Sequence, residues 1–182
     1  MNDLTNKFLI ATPSINDPIF KKALILLCDY NSEGAMGLII NKPINDKVDD
    51  FVTFNSSIEK IKENNKIYLG GPVDLSTTFV LHENSYNSKN TLKISNELSL
   101  TSNEEIFKSI NSKNGPNNFI LTFGYTGWNK NQLDKEIKNG DWLVAPSNLD
   151  LIFKQQDEKK WDISSNCLGF NIEELSGQTG LS

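Results

Sequence analysis

Arginine is absent from this 182-residue chain, and all 18 of its basic residues are lysines. Acidic residues outnumber them at 23, which gives a net charge of −5 at pH 7. A chain of this charge repels phosphate backbones, and arginine is the side chain that best reads guanine edges and phosphates. The composition therefore argues against direct DNA binding.

Histidine and cysteine are almost as scarce. His82 is the only histidine, so a metal site built on a histidine pair is excluded within one chain. Cys28 and Cys167 stand far apart and match no metal or redox spacing. We expect both to be buried free thiols, and we expect no metal or other cofactor.

Long apolar runs are missing as well. The run nearest the N-terminus, residues 8–11, has four residues, whereas a signal peptide needs about 7–15 and a membrane helix about 20. Hydrophobic residues at 37% and charged residues at 23% are typical of a globular protein. We expect one domain over residues 1–182 in the cytoplasm, with no membrane contact.

Short apolar runs between turn residues predict an α+β fold. Residues 23–30 and 35–41 form the clearest pattern, a hairpin of two buried strands around a turn at 31–34. Further strands are predicted at residues 8–11, 67–69, 77–81, 119–123 and 142–145.

Helical spacing predicts the remaining elements. Thr101 and Glu104 have the spacing of a capping box that opens a helix carrying Ile106, Phe107 and Ile110. Two later helices are expected around Leu133 and Ile137 and over residues 159–168. An earlier helical region is expected to carry Val48, Phe51, Val52, Ile58 and Ile61.

Seven segments, taken together, resemble the AlgH-like (YqgE) family of small bacterial proteins. They are Leu-Ile-Ala-Thr-Pro at 9–13, Asp-Pro-Ile-Phe at 17–20, Gly-Ala-Met-Gly-Leu-Ile-Ile-Asn-Lys-Pro at 34–43, Gly-Gly-Pro-Val at 70–73, Phe-Val-Leu-His at 79–82, Gly-Tyr-Thr-Gly-Trp at 124–128 and Trp-Leu-Val-Ala-Pro at 142–146. The resemblance implies a mixed, largely antiparallel sheet that curls toward a partial barrel with flanking helices. It implies no biochemical activity, because the family has none established, although its first-named member is labelled a transcriptional regulator.

The candidate site residues lie at predicted strand ends, where binding groups are commonly held on a rigid sheet. Each of them also has a purely structural interpretation, as a turn, a cap or a packing residue. His82, beside Glu83, is a weak candidate for proton transfer. The full set of candidate ligand-binding residues is Asn41, Lys42, Gly70, Gly71, His82, Gly124, Tyr125, Gly127 and Trp128. We expect these groups to converge on one cleft, with residues 124–128 as a loop.

The sequence favours a module that binds a small molecule or a protein partner, neither of them identified. A transcriptional regulator, as the family label suggests, and a small hydrolase-like enzyme using His82 are the alternatives. Whether the protein is an enzyme stays open at this point, with binding preferred over catalysis.

The charge balance gives a first testable prediction. The purified protein should bind duplex DNA no more tightly than a weak non-specific level of about 10⁻⁴ M at physiological salt. Fluorescence anisotropy with labelled duplexes of random and genomic sequence would measure this. Sub-micromolar binding that depends on sequence would overturn it.

Overall fold

The computed structural model describes residues 3–44 and 56–169. Within these residues, nine strands form one sheet in the order β6-β7-β5-β8-β3-β2-β1-β9, with β4 beside β8. The strands are β1 (Lys7–Ala11), β2 (Leu24–Asn31), β3 (Gly34–Ile39), β4 (Ile67–Leu69), β5 (Val73–Glu83), β6 (Thr91–Lys93), β7 (Leu98–Thr101), β8 (Phe119–Asn129) and β9 (Trp142–Pro146). The described helices are α1 (Ser56–Lys62), α2 (Glu104–Asn111), α3 (Gln132–Lys138), α4 (Leu149–Phe153) and α5 (Asp157–Asn166).

The predicted fold class is confirmed: the sheet is largely antiparallel, curls into a half-barrel and is flanked by helices. Antiparallel pairing joins β1 to β2 and β9, and joins β2 to β3 as the predicted hairpin. The pairing of β4 with β8 is parallel. Apolar side chains along β1 and β2 are fully buried, which explains why these strands read as continuous apolar runs.

Strand β8 holds the two halves of the sheet together. Its first half pairs with β4 and β5, and its last residues pair with β3. Residues 124–128 therefore belong to a strand, and the prediction of a loop there was wrong. Two glycines suggested a loop, but Gly124 lies at a close crossing of backbones described below, and Gly127 simply continues the strand.

Three other expectations were wrong or incomplete. Thr101 does not cap α2, because it ends β7 as a fully buried residue; the cap is Asn103, whose side chain accepts a hydrogen bond from the Ile106 amide at 3.0 Å. The short elements β6, β7 and α4 were not predicted. Cys28 is buried as expected, but Cys167 is exposed. Val48, Phe51 and Val52 lie outside the described residues.

The central hairpin gives a prediction about stability. Leu26 and Ile39 are fully buried in β2 and β3, so truncating either to alanine should lower the free energy of unfolding by about 2–5 kcal/mol. Leu92→Ala is the matched control, since Leu92 is 43% exposed on β6 and its truncation should cost less than about 0.5 kcal/mol. Urea denaturation measures the free energy of unfolding of all three variants. Equal effects in the hairpin and control variants would contradict the placement of the core.

Candidate functional site

Gly70, Gly71 and Gly124 meet where two backbones cross. The Gly70 amide donates to the Phe123 carbonyl at 2.8 Å, and the Ile39 amide donates to the Gly70 carbonyl at 2.9 Å. A Cβ on Gly70 would collide with the Gly124 carbonyl, and one on Gly71 would collide with the Tyr125 backbone. Gly124 itself has a left-handed φ of 66°. These glycines are therefore explained by the crossing alone.

The end of β3 holds the loop of residues 17–22 in place. The Asn41 side chain accepts from the Leu24 amide at 2.8 Å and donates to the Lys22 carbonyl at 2.9 Å. The Lys42 ammonium donates to the carbonyls of Pro18 at 3.1 Å and Lys21 at 2.8 Å. Burial lowers the pKa of Lys42, and the nearby Asp17 carboxylate opposes that shift.

Tyr125 lies beside the glycine crossing. It pairs with Val73 across the β5–β8 ladder and makes an edge-to-face contact with Phe79 at 6.1 Å between ring centroids. Three of the predicted groups, Asn41–Lys42, Gly70–Gly71 and Gly124–Tyr125, therefore do come together. They come together through backbone bonds and packing.

Trp128 and Gly127 lie further along β8, opposite Ala35 and Met36. The Trp128 ring is buried, and its indole N–H donates to the Glu136 carboxylate at 2.7 Å. Trp142 donates to the same oxygen of Glu136 at 2.8 Å. This end of β8 is a packed aromatic cluster around one carboxylate.

His82 lies far from these groups. It pairs with Phe119, and Tyr125 is six residues further along β8, about 20 Å at 3.3 Å per residue. The expected convergence of His82 with Tyr125 or Trp128 is therefore wrong. The register of β5 against β8 places His82 and Tyr125 toward opposite ends of the ladder.

The His82 ring is fully buried, and both of its nitrogens are hydrogen-bonded. Nδ1 lies 2.7 Å from the Glu83 carbonyl, and Nε2 lies 2.9 Å from the Thr101 hydroxyl. Because a carbonyl only accepts, Nδ1 carries the proton and Nε2 accepts from Thr101. Burial lowers the pKa of His82, partly offset by the hydrogen bond to Glu83, so the ring is neutral at pH 7.

A cleft of about 330 Å³ lies where residues 12–22 face α5. Its lining includes Thr12, Pro13, Asn16, Lys21, Lys22 and Trp161. The Trp161 indole donates to the Ala11 carbonyl at 2.9 Å, and the Thr12 hydroxyl donates to the Gly140 carbonyl at 2.7 Å. The Lys22 ammonium lies 4.7 Å from the centroid of the Trp161 ring, within the range of a cation–π contact.

A buried ion pair on α5 fixes the Trp161 side of this cleft. Lys160, one residue before Trp161, lies 3.0 Å from the Asp157 carboxylate and donates to the Ile40 carbonyl at 2.9 Å. Lys66 and the Tyr68 hydroxyl also donate to Asp157, at 2.6 and 3.1 Å. Burial alone would raise the pKa of Asp157, but these hydrogen bonds and the Lys160 charge outweigh it and hold the pKa low. Burial lowers the pKa of Lys160, and the hydrogen bond and charge of Asp157 oppose that shift. These contacts anchor α5 to β4 and to the end of β3.

The sequence did not point to Thr12, Asn16 or Trp161 as site residues. Thr12 and Trp161 are 149 positions apart, and only the fold brings them together. Lys21 and Lys22 look like surface lysines in a lysine-rich chain. The available signal was indirect, since the predicted residues Asn41 and Lys42 hold the loop that presents Lys21 and Lys22.

A larger cavity of about 500 Å³ lies between β9, α4 and α5. More than half of its lining residues are apolar, and it reaches Leu168, next to the last described residue. No cluster of three metal-ligating side chains occurs in residues 3–44 and 56–169. Among the helices in those residues, none combines the length and the apolar character that a membrane crossing requires.

The buried imidazole gives a prediction about pH. Because the folded-state pKa of His82 is lowered, the unfolded chain takes up a proton near pH 6.5 that the folded protein takes up only at lower pH. The free energy of unfolding should therefore fall between about pH 7 and pH 5, with a slope of at most about 1.4 kcal/mol per pH unit. Urea denaturation across this range measures the slope.

His82→Gln is the control variant, because the chain then has no histidine and its slope in this pH window should shrink. Nitrogen-15 NMR of the wild-type ring should show the Nδ1–H tautomer. An identical slope in both proteins would contradict the assignment of a neutral, buried His82.

Comparison with known proteins places the chain in a family. The family model described as AlgH-like matches residues 8–173. A UPF0301 protein of Shewanella loihica is 41% identical over 189 aligned positions, and a UPF0301 protein of Pseudoalteromonas translucida is 35% identical; each alignment covers 99% of both chains.

Solved structures agree with the sequence comparison. The solution structure of the AlgH protein from Pseudomonas aeruginosa superimposes with a TM-score of 0.75 at 29% identity and covers 100% of both chains. A crystal structure of a Corynebacterium diphtheriae protein gives a TM-score of 0.69 at 20% identity, covers 91% of this chain and 88% of that one, and shows the same fold. This chain is therefore a member of the AlgH-like family.

Proposed function

We propose that this protein binds a small molecule in the cleft between residues 12–22 and α5. The observation that carries the proposal is the cleft itself, a volume of about 330 Å³ whose lining includes Lys21, Lys22 and Trp161. This volume lies at the lower end of the range for small-molecule sites. The cleft lies where strand β1 ends, and none of the candidate residues named from the sequence lines it.

The rigidity of the surrounding structure supports a binding role. Side chains of Asn41 and Lys42 hold the loop of residues 17–22 through bonds to its backbone. The buried Asp157–Lys160 pair holds the opposite wall. A preorganised site loses less conformational entropy when a ligand binds, so affinity depends less on new contacts.

Lys22 supplies a second line of support. Its φ of 53° lies in the left-handed region, which costs on the order of 1 kcal/mol for a residue with a Cβ. Strained residues of this kind cluster at binding sites, where surrounding structure compensates for the cost. In the proposed site, Asn41 and Lys42 are positioning residues that hold the loop of residues 17–22. His82 is not part of the site.

The proposal predicts that filling the cleft abolishes binding. In a thermal-shift screen of a metabolite library, a ligand present at 100 times its dissociation constant should raise the melting temperature of the wild type by about 5–10 °C. Asn16→Trp, at an exposed position that lines the cleft, should remove the shift. Asn87→Trp is the matched control, because Asn87 is exposed and lines a different cavity.

Circular dichroism would first establish that both variants are folded. Ligands whose shifts persist in Asn16→Trp but disappear in Asn87→Trp would contradict the proposed location. A broad library without a single ligand would contradict a small-molecule function.

A further inference from the structure

Two hydroxyl groups connect the buried His82 ring to a small cavity near the edge of the sheet. The His82 Nε2 atom lies 2.9 Å from the Thr101 hydroxyl, and that hydroxyl lies 2.8 Å from the Thr91 hydroxyl. Thr91 and Thr101 are opposite each other in the β6–β7 ladder, and His82 and Thr101 are both fully buried. Thr91 lines a cavity of about 230 Å³. The two threonines therefore form a continuous hydrogen-bonded path from the ring to this cavity.

The cavity is polar and separate from the proposed binding cleft. Besides Thr91, its lining consists of Asn84, Tyr86, Asn87, Lys93 and Ser99. None of these residues lines the cleft between residues 12–22 and α5. A property of this cavity is therefore independent of the proposed function.

The protonation state of the ring fixes the direction of each hydrogen bond along the path. Because the Glu83 carbonyl only accepts, the neutral ring carries its proton on Nδ1, and Nε2 accepts from Thr101. A threonine hydroxyl has one proton, so Thr101 has none left to donate to Thr91. The Thr91 hydroxyl therefore donates to Thr101 and offers only its lone pairs to the cavity.

A protonated ring reverses these directions. Both ring nitrogens then donate, so the Nε2 proton needs the Thr101 oxygen as its acceptor. The Thr101 proton turns to the Thr91 oxygen, and the Thr91 proton turns toward the Ser88 hydroxyl, 3.4 Å away, or into the cavity. Rotation of two hydroxyl groups thus lets the folded protein take up the proton while both ring nitrogens keep their hydrogen bonds.

The charged residues around His82 are exposed or engaged. The ladder partners of His82 on β7 and β8 are the uncharged Ser99 and Phe119, and the Tyr86 ring packs edge-to-face against it at 5.7 Å between centroids. The Glu83 carboxylate accepts from the Asn118 side chain at 2.6 Å. The charged side chains of the neighbouring loops, β6 and α2 are exposed: Lys89, Lys93, Glu97, Glu104, Glu105 and Lys108. The hydroxyl path is therefore the direct link between the ring and the cavity.

We propose that Thr101 and Thr91 transmit the protonation state of His82 to the cavity and so form a pH-sensitive hydrogen-bond switch. With a neutral ring, Thr91 only accepts hydrogen bonds from a molecule in the cavity. With a charged ring, Thr91 also has a proton to donate. Because burial lowers the pKa of His82, the switch operates below the ordinary value of about 6.5.

Ring nitrogen-15 NMR of the full-length protein measures the pKa of His82, the only histidine, from about pH 8 to the acid limit of the folded state. Thr91→Val keeps the β-branched shape and removes the acceptor that Thr101 needs when the ring is charged. The neutral ring still accepts from Thr101, so the charged state loses more. The pKa of His82 in this variant should lie about 0.5–1 below that of the wild type.

Thr122→Val is the matched control, because it makes the same change at a buried threonine whose hydroxyl has no hydrogen-bond partner among the described residues. It should leave the pKa of His82 unchanged. Thr101→Val interrupts the path at its first step, so adding Thr91→Val to it should lower the pKa no further. Circular dichroism would first establish which variants are folded. If Thr101→Val does not fold, the comparison of Thr91→Val with Thr122→Val still decides.

An unchanged pKa of His82 in Thr91→Val, or an equal decrease in Thr122→Val, would overturn the proposal. A ring that stays neutral until the wild type unfolds would also overturn it, because the folded protein would then have no charged state to transmit. If Thr91→Val still has its full effect on the Thr101→Val background, the effect does not pass through Thr101 and the switch is wrong.

Discussion

Hydrogen bonds from the end of β3 hold together the three elements around the cleft. The Ile39 amide binds the turn at Gly70, the Ile40 carbonyl accepts from Lys160 of α5, and Asn41 and Lys42 bind the loop of residues 17–22. Because these contacts come from consecutive residues of one strand end, the loop, the turn and the helix have fixed positions relative to each other. The geometry of the cleft depends on this segment.

The crossing of Gly70, Gly71 and Gly124 lies next to this segment of residues 39–42. Strand β8 pairs with β4 and β5 in its first half and with β3 at its end, and the left-handed φ of 66° at Gly124 interrupts its extended backbone between the two. The turn at Gly70 and Gly71 packs directly against Gly124 and Tyr125, where a Cβ would collide with backbone atoms. Next to this crossing, the Lys42 carbonyl accepts from the Leu69 amide at 3.0 Å, which joins the segment after β3 to β4.

Most of the core could be predicted from the sequence, because buried strands such as β1 and β2 are uninterrupted apolar runs. Short strands with weak patterns escaped prediction. Strand β6 is largely exposed, and β7 is buried on both faces, so neither alternates clearly. Without them, Thr101 looked like a helix cap, and the hydrogen-bonded burial of His82 beside Thr101 could not be foreseen.

The candidate site was predictable only in part. Asn41 and Lys42 were singled out correctly as polar residues at a strand end, but their side chains hold the loop backbone. Gly124 and Gly127 resembled hinges of a loop, although glycine at Gly124 is required by close backbone contact. Trp161 meets residues 12–22 through tertiary packing alone, and the spacing of residues in one sequence contains no trace of such a contact.

The most direct test of this account is a map of amide and indole chemical shifts while a ligand found in the thermal-shift screen is added to the folded protein. The chain has three tryptophans, and each indole N–H gives its own signal. The account predicts shifts at residues 12–22 and at the Trp161 indole, with the Trp128 and Trp142 indoles unchanged. Shifts concentrated at His82, at Tyr125 or in the cavity between β9 and α4, with Trp161 unaffected, would contradict it.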